Sequence, residues 1–161
     1  MILVLITVGK TLEAYSKGKT TNALILGMLL NKHYGIITHY IRRREKEDLA
    51  PKTLKDLFKT IVELGYVEKI TDGKYNDVEY KSRRWYYIKR SEDGIIDQSQ
   101  DFFMMCMGID GADHYKSTYN SPKGDYILID EIIPLSSKSY LVDEFVLLLD
   151  VIKTIFRDRT G

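Results

Sequence analysis

Four side chains of this 161-residue sequence combine types and spacing that could do chemistry: Lys19 and Thr20, then Asp130 and Glu131 far along the chain. In the run Lys17-Gly18-Lys19-Thr20-Thr21 a glycine precedes a lysine and a hydroxyl, and an apolar helical pattern follows. That order suits phosphate. Backbone N–H groups and a helix N-terminus can face the anion, and Gly18 and Thr21 belong with Lys19 and Thr20 to the candidate phosphate-binding loop. The lysine can reach β- and γ-oxygens while the hydroxyl binds Mg²⁺. In Tyr126-Ile127-Leu128-Ile129-Asp130-Glu131, aliphatic residues run into two acids. A strand ending in Asp can put that carboxylate near the metal, and the following Glu can activate a water for attack on the γ-phosphate.

The loop departs from the pattern Gly, four residues, Gly-Lys-Ser/Thr, because Glu13 stands where the leading glycine belongs. Gly9 could serve only in a longer loop. A second Gly-Lys-Thr, at residues 9–11, follows the strand without opening an apolar helix. The competing account of Gly18-Lys19-Thr20 is an exposed polar turn that caps a helix, and strands commonly end in acids for no chemical reason. A strand before and a βαβ unit after favour phosphate. Small nucleotide kinases generally lack a glutamate directly after the strand aspartate, so the acid pair points to a hydrolase that couples ATP turnover to movement.

These residues need a sheet to position them. Residues 2–8 form a continuous apolar, β-branched run that reads as a central parallel strand. A polar loop leads to a helix over 22–34, apolar on most sides, which Gly35 ends. A second strand at 36–41 runs into Arg42, Arg43 and Arg44, completing the βαβ unit. Pro51 opens a helix expected over 52–64. Residues 67–70, 78–81, 84–89 and 102–107 read as strands of an antiparallel insertion or sheet edge, with turns at Asp72-Gly73 and Asp93-Gly94. A polar loop over 108–124 precedes a third parallel strand at 126–129. The last helix is expected over 140–156, followed by Arg157-Asp158-Arg159.

Composition is ordinary for a globular chain, with 44% apolar and 29% charged residues. The net charge of +1 leaves any attraction to nucleic acid to local clusters. Arg83 and Arg84, beside Trp85, Tyr86 and Tyr87, could contact DNA phosphates, or could blunt an edge strand. The single cysteine, Cys106, excludes an internal disulfide framework and fits a reducing, cytoplasmic setting. No bilayer-length apolar run or signal peptide is apparent, and His33, His39 and His114 lack metal-ligand spacing.

The sequence resembles the DNA-packaging ATPases of small tailed bacteriophages, relatives of the large terminase subunits. Gly18-Lys19-Thr20, Gly35, Tyr40-Ile41-Arg42-Arg43, Lys81-Ser82-Arg83-Arg84-Trp85-Tyr86, Ile127-Leu128-Ile129-Asp130-Glu131 and the stretch from Leu147 to Arg159 carry the likeness. The resemblance implies a single P-loop NTPase domain of the ASCE type over residues 1–161. It would have a mainly parallel central sheet flanked by helices and a β-rich insertion at about 66–124. The C-terminal side would be incomplete, lacking the sensor strand and a nuclease-like domain. The partners implied are double-stranded DNA, a portal or procapsid, and further copies in a ring, in the cytoplasm of the infected host. Arg157 falls at the position of an arginine that completes a neighbour's site, with Arg159 as a substitute. Such arginines account for roughly 10³–10⁵ in rate. Arg42 and Arg43 match a basic pair near the nucleotide and the subunit boundary, against the alternative of a solvated charge run. Two other outcomes stay open: a module that binds nucleotide without turning it over, and a DNA-binding subunit with no nucleotide role.

Overall fold

The computed structural model of the chain describes residues 2–6, 18–111, 125–131 and 141–156. Along the chain these form β1 (Ile2–Ile6), α1 (Lys19–Tyr34), β2 (Ile37–Arg42), and four short helices. The short helices are α2 (Glu45–Asp48), α3 (Pro51–Leu54), α4 (Lys59–Glu63) and α5 (Tyr66–Ile70). Then come β3 (Asp77–Lys81), β4 (Arg84–Ser91), β5 (Gly94–Gln98), β6 (Met104–Gly108), a 3₁₀ turn (Ile109–Gly111), β7 (Asp125–Ile129) and α6 (Glu144–Phe156).

One mixed sheet organises the described residues, in the order β1-β7-β2-β6-β4-β3, with β5 paired to β4. The pairs β1–β7, β7–β2 and β2–β6 are parallel. β4 runs antiparallel to β6, β3 and β5. The strands of the βαβ unit are therefore not neighbours, because β7 lies between β1 and β2 in register with both. This central position explains the uninterrupted burial of Tyr126, Ile127, Leu128 and Ile129.

Alternation along the strands divides the core between the two faces. Tyr126 and Leu128 of β7, Tyr40 of β2, and Met104 and Cys106 of β6 join Ala23, Leu24 and Met28 of α1. Ile127, Ile129, Ile41 and Met107 join Val151 and Ile155 of α6. Gly27 lets α1 press on the sheet, since a β-carbon there would lie 2.3 Å from Thr38 Oγ1 and 3.2 Å from the Tyr126 ring. Gly35 ends α1 in a left-handed conformation (φ 67°), its N–H donating to the Asn31 carbonyl. Cys106 is wholly buried, and burial pushes its thiol up to about 12.

Three expectations from the sequence need correction. The helix expected over 52–64 is two shorter helices, α3 and α4. Leu57 N–H bonds to the Leu54 carbonyl and Lys59 N–H to that of Asp56, three-residue closures that tighten the chain between them. Leu54, Phe58 and Ile61 keep helical spacing on the buried side, so the pattern survives the break. Residues 67–70 are helical. Gly65 (φ 70°) restarts the helix, and Val67 and Ile70 are buried at a spacing of three. The strand expected at 102–107 belongs to the parallel array. β6 pairs in parallel with β2 along its length and antiparallel with β4 at Arg84–Met105 and Trp85–Met104. The sequence also showed no sign of β5, whose Ile95 and Ile96 are exposed. Beyond residue 111, the polar loop expected over 108–124 lies outside the described residues, as do residues 7–17.

Candidate functional site

Arg42, Asp130 and Glu131 converge at the edge of the sheet where the parallel strands β2 and β7 end. Open parallel sheets bind ligands outside this carboxyl edge. Asp130 is the first residue past β7, and its N–H donates to the Ile41 carbonyl at 3.1 Å. Its place in the alternation puts it on the α1 side, together with Tyr40 and Arg42 of β2.

α1 begins at Lys19, three residues earlier than the sequence pattern indicates, so Lys19, Thr20 and Thr21 form its first turn. Gly18 is the cap residue and supplies no side chain, and the first turn holds no acidic group. Asn22 N–H closes that turn on the Gly18 carbonyl at 2.9 Å. An exposed lysine at the positive end of a helix dipole is an arrangement that an anion would relieve. Thr20 reaches across the sheet edge, its Oγ1 donating to Asp130 Oδ1 at 3.4 Å.

The other oxygen of Asp130 faces β2. Tyr40 donates its phenolic O–H to Asp130 Oδ2 at 2.8 Å, and Arg42 Nη1 donates to the Tyr40 oxygen at 3.1 Å. Arg42 Nη1 also lies 3.6 Å from Asp130 Oδ2, while its Nη2 binds Glu131 Oε2 at 2.8 Å. Arg42 and Asp130 are mostly buried, whereas half of the Glu131 side chain is exposed. Burial alone drives the Tyr40 phenol well above its ordinary range, Arg42 opposes this and Asp130 adds to it, so the phenol stays protonated. Burial works against the Arg42 charge, but Tyr40, Glu131 and Asp130 outweigh it and hold the guanidinium above its usual value. Glu131 adopts a positive φ of 50°, which turns its side chain back toward Arg42. For a non-glycine residue this conformation costs about 1–3 kcal/mol.

Arg43 takes the opposite face. It makes a two-point ion pair with Glu144, the first residue of α6, with Nη2 to Oε2 at 3.1 Å and Nε on the other oxygen. Glu144 Oε2 also accepts the Leu141 N–H at 3.0 Å. The two neighbouring arginines thus tie the end of β2 to the acid pair on one side and to α6 on the other.

Arg83 and Arg84 lie in and after the β3–β4 turn, where Ser82 (φ 50°) and Arg83 (φ 62°) make a left-handed two-residue hairpin. Arg83 forms an ion pair with Glu45, and the Arg84 guanidinium stands 4.8 Å from the Phe102 ring centre. Neither belongs to the cluster at β2 and β7. Arg157 and Arg159 lie outside the described residues. The sequence marks Tyr40 only within the stretch Tyr40-Ile41-Arg42-Arg43 and gives it no role in the site. It was visible as an aromatic two positions before Arg42, but nothing in the sequence tied it to Asp130. Among the described residues no group of three or more His, Cys, Asp or Glu is arranged to hold a metal ion, and no helix is long and apolar enough to cross a membrane.

No protein-family model matches the chain, and comparison with curated proteins finds no match. Two solved structures have the same fold. The N-terminal domain of the DNA packaging ATPase from bacteriophage phi29 matches with a TM-score of 0.66 at 18% identity, over 98% of this chain and 68% of that one. A chain of the bacteriophage phi29 viral genome packaging motor assembly matches with a TM-score of 0.63, also at 18% identity, over 98% of this chain and 40% of its own. At this identity the likeness is one of fold: a mixed α/β domain, its sheet mostly parallel, shaped like the N-terminal domain of a phage packaging ATPase.

Proposed function

We propose that this chain is a P-loop ATPase domain of the ASCE type, from a motor that moves double-stranded DNA into a phage procapsid. The observation that carries the reading is the meeting of Thr20, in the first turn of α1, with Asp130 at the end of β7. Two motifs far apart in sequence come together at one sheet edge. A hydroxyl and a carboxylate are hard oxygen donors that suit Mg²⁺, which is commonly held by one or two such groups plus substrate phosphates. Mg²⁺ there supplies charge neutralisation on the phosphate oxygens. Lys19 binds the phosphates beside the α1 N-terminus, Thr20 and Asp130 hold the metal, and Glu131 takes the proton from the attacking water. Arg157 acts on a neighbouring copy in a homo-oligomeric ring. The DNA, portal and ring partners rest on the likeness of fold and on the sequence resemblance.

Lys19→Ala tests the reading. Titration with a fluorescent ATP analogue should show weakened binding, and phosphate release should disappear. Binding and turnover at wild-type levels would overturn it. Glu131→Gln should keep nucleotide binding and lower turnover by about a hundredfold or more.

A second reading is favoured by one contact. Arg42 occupies the Glu131 carboxylate, which in this arrangement is spent on a guanidinium. A module that binds nucleotide without hydrolysing it would show analogue binding and no phosphate release in the unaltered chain.

A further inference from the structure

Asp130 has two oxygens in different surroundings, and the difference traces to Tyr40. Oδ1 meets the Thr20 hydroxyl at 3.4 Å, while Oδ2 receives the Tyr40 hydroxyl at 2.8 Å. The direction of the Tyr40 bond is forced. Arginine has no acceptor, so Arg42 Nη1 must donate to the phenolic oxygen. An ionised carboxylate has no donor, so the single phenolic hydrogen must go to Asp130. The ring that carries this hydroxyl is fully buried, packed in the core beneath α1.

The fixed ring matters because Asp130 stands beyond the last residue of β7, and the terminal torsion of an aspartate is broad. Its backbone N–H bonds to the Ile41 carbonyl, and that bond does not itself set the plane of the carboxylate. Tyr40 and Arg42 act on one oxygen from β2, the neighbouring strand, and so present the other to Thr20.

We propose that Tyr40 is a positioning residue for the metal site. It locks the Asp130 carboxylate so that Oδ1, and not Oδ2, is offered beside the Thr20 hydroxyl to a divalent cation bound with nucleotide. The inference rests on the phosphate-loop reading above and adds a residue to it. Phenylalanine at this position would fill the same space and lose only the hydroxyl.

The test is Tyr40→Phe in the whole chain, with Mn²⁺ as the probe, followed by electron paramagnetic resonance at fixed ATP-analogue concentration. Circular dichroism and a thermal melt report folding separately. Loss of one charge-assisted hydrogen bond should raise the Mn²⁺ midpoint by about tenfold. Nucleotide affinity measured in EDTA should stay at its wild-type value. A purely structural phenol would lower the melting temperature and leave the Mn²⁺ midpoint in place, and that result would overturn the proposal. Lys19→Ala separates the two levels. If it leaves nucleotide binding intact, the phosphate-loop reading fails and takes this inference with it. If it abolishes binding while Tyr40→Phe leaves the midpoint unchanged, the Tyr40 inference alone fails.

Discussion

The parallel and antiparallel parts of the sheet are held together by different physics. At the antiparallel edge aromatic rings meet in succession. Tyr87 stacks on Phe103 at 4.2 Å, Phe103 meets Phe58 edge-on at 5.5 Å, and Phe58 and Tyr80 both contact Trp85. The α6 side of the parallel part is built around Ile41, Ile127, Ile129, Val151 and Ile155, while on the α1 side Tyr40, Arg42, Asp130 and Glu131 gather at the strand ends. One region has many apolar contacts and no clustered charge in its interior. The other concentrates charge at a single edge and needs a rigid sheet beneath it. The division teaches that the antiparallel region mainly stabilises the fold, while the end of β2 and β7 orients the charged groups of the candidate site.

The most damaging way to test this division is Phe103→Ala. Phe103 is fully buried and contacts both Phe58 and Tyr87, so its loss should cost about 3–5 kcal/mol in chemical denaturation. Nucleotide affinity of the folded fraction should be unchanged. If affinity fell in step with stability, the two regions would not be separable.

A smaller effect is expected at the seam. Gly108 closes β6, and a β-carbon there would lie 2.7 Å from Glu45 N and 2.8 Å from Glu45 Cα. Backbone cannot yield as a side chain can, so Gly108→Ala should cost about 1–3 kcal/mol. The strain would fall on the segment after β2, where Glu45 N–H donates to Asp110 and the Glu45 carboxylate holds Arg83. A thermal melt of Gly108→Ala that matches wild type would show that this seam is loose.

Particular residues show what the sequence could reveal. Residues 126–129 were legible as a buried strand because four consecutive apolar residues end at two acids, although nothing in them says that β7 sits between β1 and β2. Pairing order is set by contacts across the whole chain, which no local pattern encodes. The error at 67–70 came from Val67 and Ile70, β-branched residues whose spacing of three outweighs their strand preference once Gly65 turns the chain. β5 was invisible because Ile95 and Ile96 are adjacent and exposed, with no alternation to read. Of the site, Thr20 and Asp130 were singled out separately, and their contact needed the fold. The divergence of Arg42 and Arg43 follows from strand alternation, but their carboxylate partners, Glu131 and Glu144, are placed by β7 and α6.

The subtlest prediction contrasts two arginine–carboxylate pairs that differ in burial. Arg90–Asp77 flanks the antiparallel edge, with side chains 47% and 24% exposed, whereas those of Arg43 and Glu144 are 11% and 10% exposed. Burial tends to raise the Glu144 carboxyl, but hydrogen bonds from Arg43 and the Leu141 amide, with the charges of Arg43 and Arg44, hold it below its ordinary value. A carboxyl depressed in the folded state adds stability that is fully present above the unfolded pKa of about 4.3. That stability is lost as pH falls through the folded value. The melting temperature of the unaltered chain should therefore drop more steeply below about pH 4.3 than that of Glu144→Gln. At neutral pH the Gln variant should be the less stable of the two. Arg90→Ala, by contrast, should change stability by only about 0.2–1 kcal/mol, because solvent already screens that pair. Equal effects from the exposed and the buried pair would mean that the Arg43 contact does not hold α6 to the end of β2.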